Sequence, residues 1–150
     1  VLRVRRDADQ LDAAYELDLG QLLSTPATFG FWPVAGDKFV VQAWASDIDP
    51  RAVLEPGTGG WGTPYYDWKL VDLGNGSAQP VRGLERSAAN NTIRFALDEQ
   101  TYLQRSLDLM GRSELYALHE DASAVKVAET ELGEFWFMGR VRRAVEAGRE

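Results

Sequence analysis

The sequence predicts an all-β fold, a partial β-propeller with two full four-stranded antiparallel blades and strands of two flanking blades. Two observations carry this expectation. Short hairpins recur: residues 70–81 and 115–127 each run from an apolar stretch through a polar turn into a second β-type stretch, and residues 31–42 and 92–104 form another such pair. The two kinds of hairpin alternate along the chain, and two hairpins per unit is the grammar of a four-stranded blade.

The elements follow in order. Residues 1–5 and 14–18 read as the last two strands of one blade, spanning 1–18. A complete blade over about 28–82 begins with the aromatic run Phe29-Gly-Phe-Trp-Pro33. In its second strand, residues 38–44, Phe39, Val41 and Ala43 face one way and Val40, Gln42 and Trp44 the other. Apolar bulk on both faces suits a sheet stacked on both sides. Residues 65–73 form the third strand and close on Gly74-Asn75-Gly76, a strong turn signal. The second complete blade, about 89–129, pairs 91–97 with 101–105 through Asp98-Glu99-Gln100, and 113–118 with 124–128 through 120–123. Residues 134–142, the most apolar stretch, read as the innermost strand of a further blade. Two stretches also fit amphipathic helices: 9–23, with Leu11, Tyr15, Leu19 and Leu22 at helical spacing, and more weakly 100–110. Were both helical, the chain would be a compact α+β domain.

Composition narrows the function classes. The 150 residues suffice for one domain, and 45% hydrophobic with 26% charged residues is ordinary for a globular protein. A net charge of −7 without a basic stripe argues against a nucleic-acid partner. With no cysteine, disulfides, thiolate metal sites and thiol nucleophiles are excluded. No apolar run is long enough for a transmembrane segment. The chain opens on Val1 inside a strand, so the expectation is a piece of a longer parent whose missing blades complete the stack.

The long connection after Trp44 is the best candidate site, since binding residues gather on loops held by a rigid sheet. Trp61, Tyr65 and Tyr66 offer stacking surfaces, and Asp47 and Asp49 offer carboxylates, for a small molecule or protein at the propeller mouth. Trp68 reads better as core. Asp47-Ile-Asp49-Pro50 resembles part of a calcium loop but lacks its glycine and distal glutamate, so an Asx turn before Pro50 is the preferred reading. Gly57-Thr-Gly-Gly60 is followed by no Lys-Ser/Thr and is no phosphate cradle. His119, the single histidine, reads as a solvent-facing turn residue. Asp67 with Asp72, or Asp98 with Glu99, would need tertiary help to act as acid and base. No catalytic or metal-binding set emerges, and no cofactor is identified.

With the blades in register, residues 2–19 (Leu-Arg-Val-Arg-Arg-Asp-Ala-Asp-Gln-Leu-Asp-Ala-Ala-Tyr-Glu-Leu-Asp-Leu) resemble a repeat of bacterial seven-bladed propellers of the iron-regulated MxcI-like type. Trp68-Lys-Leu-Val-Asp-Leu73 and Phe137-Met-Gly-Arg-Val-Arg142 resemble the C-terminal blades of that group. The resemblance implies an extracytoplasmic protein, periplasmic or lipid-anchored, linked to siderophore and iron acquisition, and it brings no catalytic residue. The expected function is therefore a non-catalytic ligand- or partner-binding module. Its rivals are a small acidic immunity or inhibitor protein of α+β class, and a propeller hydrolase or lyase with an Asp/Tyr site at the channel mouth.

Overall fold

The computed structural model describes residues 2–5, 10–53, 64–88, 92–97, 100–106 and 112–131. They form an all-β structure. A hairpin of β1 (Leu2–Arg5) and β2 (Gln10–Glu16) precedes two four-stranded antiparallel meanders. The first meander orders β3 (Thr28–Ala35), β4 (Lys38–Trp44), β5 (Tyr66–Asp72) and β6 (Ser77–Pro80) as they come in the chain. The second does the same with β7 (Thr92–Leu97), β8 (Gln100–Ser106), β9 (Ser113–Leu118) and β10 (Ala124–Thr130). Two short helices, α1 (Leu19–Leu23) and α2 (Pro50–Val53), lie in connections.

Neither long helix of the alternative reading forms. The periodic residues of 9–23 divide between β2 and the single turn of α1, which Asp18 caps by accepting from the Gln21 amide at 3.1 Å. Residues 100–106 are strand, because Thr101, Leu103 and Arg105 alternate onto the buried face that pairing with β9 requires. The α+β architecture is thus replaced by sheets. The stretch 134–142 lies outside the described residues.

The strands follow from alternation and turn chemistry. β4 buries both faces: Val40 and Gln42 on one side, Val41 and Ala43 on the other. β3 carries bulges where Gly30 and Val34 lack single partners on β4. Gly30 has φ +68°, and a Cβ there would meet the Trp32 indole, so glycine lets that ring fold back toward the core. The β5–β6 turn is built by Asp72, whose carboxylate accepts from the amides of Gly74 and Asn75.

The two sheets share one core. Val40, Trp68, Leu70 and Val81 from the first meet Leu103, Tyr116, Leu118, Ala122 and Ala124 from the second, with Trp32, Val34 and Leu84 packed around them. Each large aliphatic side chain so buried contributes roughly 1.5–3 kcal/mol. Trp68, 3% exposed and 5.7 Å from Trp32 between ring centres, is a core residue. Beyond β6 the chain crosses to the second sheet: the Arg82 amide donates to Ala122 O, and the Ala124 amide to Arg82 O, both at 2.8 Å. Gly83 (φ +85°) permits this approach, since a Cβ would strike the Ala124 carbonyl. The Tyr15 hydroxyl of β2 donates to Leu73 O, just past β5, at 3.0 Å and ties the leading hairpin to the first sheet.

Antiparallel order sends the connections to two ends. The tight turns β3–β4, β5–β6 and β9–β10 lie at one end; the β2–β3, β4–β5 and β6–β7 connections emerge at the other.

Candidate functional site

The connection-bearing end gathers most of the candidate residues. Trp44 closes β4 and organises them. Its amide donates to Ala27 O at 2.9 Å, and its indole nitrogen to Ile48 O at 2.7 Å. Tyr65 stacks on its ring at 5.3 Å and 14°, and Tyr66 meets it edge-on at 5.6 Å and 81°. Phe29, 42% exposed, lies 6.1 Å from Tyr66. The Ala45 amide donates to Tyr65 O at 2.9 Å, so the long connection leaves and re-enters the sheet through a hydrogen-bonded neck. The two tyrosines thus spend part of their aromatic surface on Trp44 and keep their outer faces half-exposed.

The carboxylates take separate tasks. Asp49 Oδ1 accepts from the Arg51 amide at 2.9 Å and caps α2, where Pro50 fills the first helical position. This is the Asx-type role read from the sequence. Asp47 binds the Arg86 guanidinium through both oxygens, at 2.6 and 3.0 Å, while Arg86 Nε donates to Asp67 at 2.8 Å. The hydrogen bonds from Arg86 hold the Asp47 carboxyl below the usual range, and donating to Asp47, then to Asp67, raises the Arg86 guanidinium above its own. Arg86 stands in the β6–β7 connection, so the fork fastens the foot of the long loop to the chain segment between the sheets. Asp47 and Asp49 form no shared cation site, and no group of three metal-ligating side chains occurs among the described residues. Trp61 lies outside the described residues, as do Asp98, Glu99 and the run 57–60. Asp67 and Asp72 point to opposite faces of β5 and do not act together.

The same segment anchors the second sheet. Gln42 Nε2 donates to Ser87 Oγ at 2.6 Å and to Ala88 O at 3.0 Å, both buried. Glu85, beside Arg86 in sequence, accepts from Arg105 at 3.2 Å. Arg105 in turn meets Glu114 at 3.0 Å, and Glu114 also accepts from the Tyr116 hydroxyl at 2.7 Å and from Lys126 at 3.2 Å. Burial alone would raise the Glu114 carboxyl; hydrogen bonds from Tyr116 and Lys126 and the Arg105 charge outweigh it and hold it low. Burial, then the bond to Glu114, pushes the Tyr116 hydroxyl up to about 12. This network escaped the sequence reading. Its one signal was alternation, which places Arg105 and Glu114 on the apolar face of β8 and β9.

His119 is exposed at the β9–β10 turn, as expected, with its amide donating to Ser123 O at 2.9 Å. No helix among the described residues is long and apolar enough to cross a membrane. Comparison of the chain with protein-family models, curated proteins and solved structures finds no match.

Proposed function

We propose that this chain is a tandem of β-propeller blades acting as a non-catalytic binding module, with its contact surface at the long β4–β5 connection. One observation carries the reading: two consecutive four-stranded meanders share the same strand order and pack face to face on a single core. Gln42 and Gln104 add to it, being the buried fifth residues of the equivalent seven-residue strands β4 and β8. The outer strands are also protected in ways that suit radial stacking: β6 is short and ends in Pro80, and β10 carries a bulge beside Lys126.

The contacts are Trp61, Tyr65, Tyr66, Asp49 and Asp47, the last through the loop foot it fixes. Asp47 and Asp67, both bound by Arg86, support the loop in place of acid–base chemistry. The siderophore link and an extracytoplasmic location rest on the resemblance of residues 2–19, 68–73 and 137–142 to iron-regulated propellers. The parent's missing blades would extend the stack on either side.

Calorimetric titration with ferric catecholate and ferric hydroxamate complexes tests the assignment. Saturable binding of one complex is expected, weakened about tenfold by Trp61→Ala with little change in melting temperature. Asp49→Asn, which keeps the helix cap, weakens it less. Absence of binding by both complexes removes the siderophore reading, and a collapse of melting in Trp61→Ala makes Trp61 a core residue.

A further inference from the structure

We propose a second binding site, at the tight-turn end of the molecule, for a small organic cation with a guanidinium head. A cleft of about 130 Å³ opens there between the two sheets, floored by Val34, Ala35 and Leu118 and bounded by Gln100, Thr101, His119 and Glu120. At about 30 Å³ per water, this is room for roughly four waters, the size of a guanidinium on a short alkyl stem.

The sign of the charge follows from the walls. Gln100 Nε2 donates to Thr101 O at 3.0 Å and to Leu118 O at 2.6 Å, which fixes the amide and leaves Oε1 as an acceptor without a donor among the described residues. Thr101 spends its hydroxyl on Pro33 O and Val34 O, both at 3.3 Å, and so locks the cleft floor between the sheets. Glu120 already holds one cation: Lys38 Nζ reaches its carbonyl at 3.3 Å and its Oε2 at 3.2 Å, leaving Oε1 for another donor. The His119 ring borders the same cleft. A guanidinium spreads its N–H groups over a flat fork and can reach acceptors set apart along the wall, whereas an ammonium gathers its three donors on one atom. An anion would meet the Glu120 carboxylate and find only Lys38, whose charge is committed. The overall charge of −7 favours approach of a cation.

His119 is the only histidine in the chain, so its ring proton resonance reports on this cleft alone. Titration with methylguanidinium chloride, at fixed pH and ionic strength, is expected to shift that resonance saturably. Glu120→Gln, a change at an exposed turn, should weaken binding about tenfold while the circular dichroism melt stays near wild type. Glu129→Gln, on the outer strand, removes the same charge and leaves binding unchanged. A shift that never saturates, an equal response to sodium acetate, or wild-type affinity in Glu120→Gln overturns the proposal.

Discussion

The two sheets solve the same placement in opposite ways. Cross-strand pairing sets Ala43 against Asp67 in the first sheet and Arg105 against Glu114 at the corresponding place in the second. In the first sheet the acid is part-exposed and borrows a surface arginine, Arg86, from a connection. In the second it is buried, and it is met by Arg105, Tyr116 and Lys126 together. A half-solvated carboxylate is content with one partner; a buried one destabilises the fold unless every lone pair is answered. The strand order is indifferent to which solution is used, because backbone pairing sets the order and the side chains need only be satisfied.

The sharpest way to break this contrast is Glu114→Ala. It leaves Arg105 buried, with the exposed Glu85 as its one ionic partner among the described residues, and should cost about 3–5 kcal/mol in urea unfolding. The triple change Arg105→Met, Glu114→Leu and Tyr116→Phe removes every member that burial penalises and should recover most of that loss. If the triple variant is as unstable as Glu114→Ala, the network does more than satisfy its own charges. Gly30→Ala probes the first sheet's reliance on shape: strain at positive φ and the displaced Trp32 ring should cost roughly 2 kcal/mol, read as a lower unfolding midpoint.

The smallest effect is a pH dependence that arises in the second sheet. The Tyr116 hydroxyl ionises near its ordinary 10 when unfolded and at about 12 when folded. Between those values the unfolded state binds fewer protons, so stability declines with rising pH through that window. Tyr116→Phe should flatten the alkaline limb. The Glu114 carboxyl, held low in the fold, contributes above the ordinary carboxylate range and loses that contribution as pH falls through its folded value. An unchanged alkaline limb in Tyr116→Phe would mean that the hydroxyl is not the group titrating.

Much of the fold was legible because it is written locally. β4 has the bounds expected of it, and the turns at 73–76 and 119–123 were marked by Asp, Asn and Gly. The strand 100–106 competed with a helical reading because Leu103 and Leu107 sit four apart, a spacing that both periods allow in so short a stretch. The candidate site was only partly legible. Asp49 as a helix cap follows from the proline after it, a neighbour in sequence. Asp47 with Arg86 does not, since 39 positions separate them and only the crossing of the β6–β7 connection brings them together. Trp44 was read as a strand end and proves to be the hub on which Tyr65 and Tyr66 lean, a role that hairpin pairing alone creates.

Glu85 and Arg86 are consecutive, yet one is drawn to the second sheet and the other to the first. That makes the short crossover a two-way tether in which ion pairs at its exposed edge are added to the buried bonds from Gln42 to Ser87 and Ala88. Added salt therefore weakens the ion pairs of the crossover and spares both its buried hydrogen bonds and the apolar seam, so that ionic strength tunes only the outermost part of the hold between the sheets.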